Sequence, residues 1–157
     1  MDKQAKMKIL AKQFGDMSKN KDMKAFFPDK ANPFIWHVSY KGPQDSPFQG
    51  GIYHCEINLT NYPERPVTLK LLHDNGSYQN NASLCIVGLT EMGGSWTPGT
   101  SVETIISSLS ILMNVPEGRH GVGYIVQTNE ADIKRHNITS QTFKCSVCGV
   151  DHSTMFK

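Results

Sequence analysis

The chain has 157 residues, with 16 Lys and Arg against 14 Asp and Glu, a formal net charge of +2, and 38% hydrophobic and 19% charged residues. That is the length of one domain with a sizeable core, and the near-balanced charge implies no dominant electrostatic partner and does not favour nucleic acid. Four irregularly spaced cysteines (Cys55, Cys85, Cys145, Cys148) imply no disulfide framework, and with no signal-peptide pattern and no run of membrane-span length a reducing, cytosolic setting fits.

Residues 2–14 set Met7, Leu10 and Phe14 at three- and four-residue spacing among lysines, which predicts a helix capped by Asp2 and stopped by Gly15. Its Lys-rich face is either a solvated surface or a site for an acidic partner. Residues 15–33 are turn-rich around Ala25-Phe26-Phe27, a short first strand. Residues 34–40 alternate strictly, with Phe34, Trp36, Val38 and Tyr40 on one face. Residues 52–59 set Ile52, His54, Glu56 and Asn58 against Tyr53, Cys55, Ile57 and Leu59, and residues 67–72 form a last strand. Breaks at Gly42-Pro43 and Tyr62–Pro66, with short connections, predict an antiparallel meander. His54, on a strand, reads as a surface or packing residue rather than a catalytic one.

Residues 73–98 have neither helical nor strand periodicity, and long irregular segments in compact domains are usually binding or catalytic loops. Seven Asn, Gln or Ser residues can hold this stretch through side chain–backbone hydrogen bonds. It contains one thiol, Cys85, which taken alone is equally a buried structural cysteine. Thr100 to Glu103 then has the form of a capping box, followed by a broad apolar face of Val102, Ile105, Ile106, Leu109, Leu112 and Met113. Pro116 ends this helix, residues 118–123 are a Gly-rich turn, and a weaker helix runs over 129–142 from Asn129. The order helix, four strands, long loop, helix, helix is α+β, a four-stranded antiparallel meander flanked by an N-terminal, a core and a C-terminal helix.

Trp36, Gly42-Pro43, Pro47-Phe48-Gln49-Gly50-Gly51, Tyr62-Pro63 with Pro66, Leu84-Cys85-Ile86 and Trp96-x-Pro98 before the long helix follow one another in an order that resembles the ubiquitin-conjugating enzymes. The resemblance spans about residues 5–149 and divides the chain into a catalytic core (1–142) and a tail (143–157). Within that family the chain is most similar to the J branch, whose full-length members carry a C-terminal anchor in the endoplasmic reticulum membrane. Asp74-Asn75-Gly76-Ser77-Tyr78 stands where the usual His-Pro-Asn would be, the interval from Cys85 to Trp96 is long, and the tail has Cys145-x-x-Cys148-Gly149. No anchor follows here, so the resemblance implies either a chain cut before it or a soluble relative.

The resemblance implies a thiol, Cys85, that accepts ubiquitin's C-terminal carboxylate from the activating enzyme as a thioester. The thioester is then passed, usually with a ligase, to a lysine of a protein substrate, with a role in endoplasmic-reticulum-associated degradation. ATP is used by the activating enzyme, so no cofactor is expected for this chain. Asn75 is the nearest match to the family's oxyanion or loop-supporting Asn, with a simple turn at Asn75-Gly76 as the alternative reading. His120 falls where the family places a gate beside the cysteine, with Glu117 its acidic neighbour. Tyr62, Pro63, Glu64, Thr97 and Pro98 match the ligase-binding loops. Three other readings stay open: an inactive ubiquitin-binding variant of the same fold, an enzyme for another ubiquitin-like modifier, and a small zinc-binding interaction module built on the tail. In the tail, Cys145, Cys148 and His152 supply three ligands where a closed zinc site takes four, so no metal is expected and the tail reads as unliganded or loosely ordered.

Overall fold

The computed structural model describes residues 1–114, 122–123, 125–126 and 128–156. Helix α1 (Lys3–Ser18) is capped by Asp2, whose carboxylate accepts the Ala5 N–H at 2.8 Å. It does not stop at Gly15. It runs on to Ser18 because Met17, in its last turn, is 0% exposed in the core.

Four antiparallel strands follow in spatial order: β1 (Met23–Phe26), β2 (Ile35–Lys41), β3 (Ile52–Asn58) and β4 (Thr68–Leu71). The predicted alternation holds, since Trp36, Val38 and Tyr40 of β2 and Tyr53, Cys55 and Ile57 of β3 are buried in one core. Their register sets Val38 opposite Cys55, Tyr40 opposite Tyr53 and Ser39 opposite His54. The other face of β2 is also covered, because His37 and Ser39 are buried with His54.

Helix α2 (Val102–Leu112) buries Val102, Ile105, Ile106 and Leu109 in the same core. Its cap is Ser101 rather than Thr100: the Ser101 hydroxyl accepts the Thr104 N–H at 3.1 Å, while the Thr100 hydroxyl donates to Thr97 O at 2.7 Å. Gln13 of α1 fixes this start by accepting the Val102 N–H at 2.7 Å, which makes Val102 the first helical residue. The predicted stop at Pro116 lies outside the described residues. Helix α3 (Glu130–Ser140) begins as predicted, with Asn129 accepting the Asp132 N–H at 2.8 Å. A two-stranded ribbon, β5 (Cys85–Ile86) with β6 (Val122–Gly123), is an addition to the predicted elements. Among the described residues no helix is long and apolar enough to cross a membrane.

Candidate active site around Cys85

The irregular stretch after β4 is moored along that strand's outer edge. Asn81 N–H donates to Leu71 O and Leu84 N–H to Leu69 O, both at 2.8 Å, and beyond Cys85 the Glu91 N–H reaches Val67 O at 3.2 Å. Leu84 and Ile86 are buried, and strand alternation turns the side chain between them outward. Cys85 is accordingly partly exposed, while Cys55 is fully buried in the core. Burial pushes the Cys55 thiol up to about 12, so it stays protonated and inert at neutral pH.

The turn after Cys85 closes on itself. Ile86 N–H donates to the buried Thr90 hydroxyl at 2.9 Å, and Leu89 and Thr90 N–H both donate to Ile86 O, at 3.1 and 3.0 Å. Gly93 packs against that same carbonyl so closely that a Cβ there would lie 2.1 Å from Ile86 O. Thr90 and Gly93 therefore shape the backbone beside the thiol, and the sequence reading passed over both. The Gly-rich composition of the loop was the signal for the second.

Asn75 is 1% exposed and its amide is fully engaged. The NH2 group donates to His73 O (3.1 Å) and Tyr78 O (3.0 Å), and Oδ1 accepts Ser77 N–H (3.0 Å) and Tyr78 N–H (2.7 Å). The loop it braces is tied to α2 by the Ser77 hydroxyl on Met113 O (3.0 Å) and the Tyr78 hydroxyl on Leu109 O (2.7 Å). Gly123 pairs with Cys85 and Ile125 with Tyr78, which joins this loop to the cysteine. His120 and Glu117 lie outside the described residues.

The two loops matched to ligase binding are brought together. Trp96 donates its indole N–H to Pro63 O at 3.0 Å and stands edge-on to Tyr62, ring centroids 6.1 Å apart. Tyr62 is buried and donates its hydroxyl to Thr100 O at 2.7 Å, so it holds the loops from within. Pro63 is partly exposed, and Glu64, Thr97 and Pro98 are exposed. Trp96 is thus the connector that sequence reading used only as a landmark.

A second concentration of titratable groups lies under the tail, on the sheet face away from the main core. Burial holds His54 down to about 3 and His73 to about 4, so both rings are neutral at pH 7. The tail is not loose: Cys145, Val150 and His152 are buried, and His152 N–H donates to Phe143 O at 2.9 Å.

The ubiquitin-conjugating enzyme family model matches residues 9–152. The chain is 29% identical over 131 residues to ubiquitin-conjugating enzyme E2 6 of Candida glabrata, covering 83% of this chain and 50% of that one. It is 30% identical over 146 residues to ubiquitin-conjugating enzyme E2 J1 of Homo sapiens, covering 91% and 45%. It thus spans about half the length of the curated relatives it matches. Among solved structures, human ubiquitin-conjugating enzyme E2 G1 is similar with a TM-score of 0.57 and 27% identity, over 68% of this chain and 93% of that one.

Proposed function

The chain belongs to the ubiquitin-conjugating enzyme family, and from that premise we propose that it accepts ubiquitin as a thioester on Cys85 and transfers it to substrate amines. The observation that carries this reading is the partly exposed Cys85, set between buried Leu84 and Ile86 on a stretch clamped to the sheet edge. In the first step the Cys85 thiolate attacks the carbonyl of the activating enzyme's ubiquitin thioester. A new C–S bond forms and the activating enzyme's thiolate leaves. In the second step a lysine amine attacks the Cys85 thioester, negative charge gathers on the carbonyl oxygen, and the C–S bond breaks to return the thiolate as the amine loses a proton to water.

Asn75 serves this chemistry by holding the loop, since both of its N–H bonds are committed to backbone carbonyls. The joined surface of Pro63, Glu64, Thr97 and Pro98 is the face offered to a ligase, with Tyr62 supporting it from inside. The partners are then the activating enzyme, ubiquitin, a ligase and protein substrates. The finer reading, a J-like enzyme acting at the cytosolic face of the endoplasmic reticulum in degradation, is supported by the similarity to E2 J1 and by the Asp74–Tyr78 segment.

The test is a charging reaction with activating enzyme, ubiquitin and ATP, resolved without reductant. A thiol-sensitive adduct on the wild type, replaced by a reductant-stable ester or lost in Cys85→Ser, is expected. A folded wild type that forms no adduct with ubiquitin overturns the reading, and repeating the reaction with other ubiquitin-like proteins and their activating enzymes then identifies the modifier.

A further inference from the structure

The register of β2 with β3 sets Ser39 opposite His54 and His37 opposite Glu56. Residues two apart on a strand share a face, so His37 and His54 are diagonal neighbours on the face away from the Trp36–Val38–Tyr40 core. Their rings meet with His37 Nδ1 3.1 Å from His54 Nε2. Above them the tail folds into a tight knuckle. Cys145 N–H donates to Val150 O and Gly149 N–H to Cys145 O, both at 2.9 Å, with Gly149 at φ +78°. This turn aims both tail thiols at the histidines: Cys145 Sγ lies 3.6 Å from His37 Nδ1, and Cys148 Sγ 3.3 Å from His54 Nε2. The four ligand atoms all fall within 4.8 Å of one another, and His37, His54 and Cys145 are buried.

We infer that His37 Nδ1, His54 Nε2, Cys145 Sγ and Cys148 Sγ form a closed tetrahedral zinc site that pins the tail to the outer face of the sheet. Tetrahedral zinc, with bonds of about 2.0–2.1 Å to nitrogen and 2.3 Å to sulfur, sets its ligand atoms about 3.3–3.8 Å apart. Three of the six separations, 3.1, 3.6 and 3.3 Å, match that frame to within a few tenths of an ångström, and the other three are bounded at 4.8 Å, so closing the tetrahedron takes a side-chain shift of at most about an ångström. Hydrogen bonding alone serves the cluster less well. His37 Nδ1 faces both His54 Nε2 and Cys145 Sγ, and His54 Nε2 faces both His37 Nδ1 and Cys148 Sγ. One ring nitrogen has one proton or one lone pair to give, whereas a central cation engages all four atoms at once.

The surrounding layer is also that of a metal centre. His37 Nε2 lies 3.1 Å from the Glu56 carboxylate, itself 3.4 Å from Lys70 Nζ, and His54 Nδ1 lies 2.7 Å from the Ser39 hydroxyl. Each histidine therefore keeps its proton on the outer nitrogen and turns a lone pair inward. The Cys148 N–H donates to Cys145 Sγ at 3.5 Å, so the knuckle's own backbone holds that sulfur in place. His152, the third possible ligand in the tail's sequence, is not in the set. Its ring nitrogens meet Ser39 Oγ and Ser140 O, both at 2.8 Å, so it buttresses the Ser39–His54 contact from behind. A two-sulfur, two-imidazole tetrahedron selects zinc among the common divalent metals. Binding releases one proton from each thiol as two Zn–S bonds form.

The experiment is metal analysis of the untagged full chain after gel filtration, with cobalt(II) titration of the chelator-stripped protein. About one zinc per chain is expected, kept by Cys85→Ser and lost by the Cys145→Ser/Cys148→Ser double variant. Cobalt should give the visible bands of a tetrahedral ion together with thiolate-to-cobalt charge transfer, and zinc should displace it with a Kd below about 100 nM. The inference is overturned by a folded wild type that holds less than about a tenth of an equivalent after equilibration with zinc. Cobalt spectra lacking the thiolate band, or full zinc retention by the double variant, also overturn it. Both wild-type readouts stand even where the double variant fails to fold, and neither depends on ubiquitin charging.

Discussion

Replacing Asn75 with Ala separates two ways in which that side chain could serve the reaction. The amide makes four hydrogen bonds to its own loop, at 2.7 to 3.1 Å, from a site 1% exposed. Alanine takes this acceptor from the Ser77 and Tyr78 amides and this donor from the His73 and Tyr78 carbonyls. A buried polar group deprived of its partner costs about 1–3 kcal/mol, and carbonyls tolerate the loss better than N–H groups. The two donors therefore dominate. With water entering part of the vacated space, the cost is about 2–4 kcal/mol. For a chain of this length each kcal/mol moves the melting temperature by about 2–4 °C, so a fall of about 5–15 °C is expected. The assays are a thermal melt and, on enzyme already charged, single-turnover discharge to free lysine. An oxyanion donor gives the opposite signature: about 100- to 1,000-fold slower discharge with little change in stability. A variant that melts within about 2 °C of the wild type but discharges 100-fold more slowly would refute the loop-bracing assignment.

Gly93→Ala forces a Cβ to within 2.1 Å of Ile86 O and 2.7 Å of Val87 N, which are backbone atoms next to the thiol. A fall of about tenfold or more in the charging rate is expected, and charging at the wild-type rate would show that the turn is free to move. Alkylation of the folded protein at pH 8, followed by peptide mapping, should mark Cys85 and spare Cys55, which is 0% exposed with its thiol held up near 12. Labelling of Cys55 at the rate of Cys85 would contradict its place in the core.

Where local chemistry decides structure, the sequence was legible. Asp2 and Asn129 cap the helices they precede, and the alternation of Trp36, Val38 and Tyr40 marks the core face of β2. Gly15 misled because a glycine inside a helix costs about 1 kcal/mol, whereas burying Met17 two residues on returns about 1.5–3 kcal/mol. Thr100 and Ser101 are both good caps. Gln13 in α1 decides between them, and neighbouring spacing does not reveal a contact 89 positions away. Cys85 could be picked out from its motif neighbours, but the clamp on β4 and the Gly93–Ile86 contact appear only once the loop is folded. His37 was missed for a related reason. It lies 108 positions from Cys145, and only the β2–β3 register shows that it shares a face with His54.

The polar lining beneath the tail also bears on how such a chain can diverge. His37, Ser39 and His54 are buried against partners that the last residues of the chain supply. An apolar segment laid over them would take away the partners on that side, and leucines or valines at the strand positions would leave the tail little to grip. The strand residues and the tail thus form one heritable unit despite their distance in sequence. Relatives lacking the tail are expected to differ at the strand positions too, and grafting the tail onto such a relative should fail until the histidines are carried across with it.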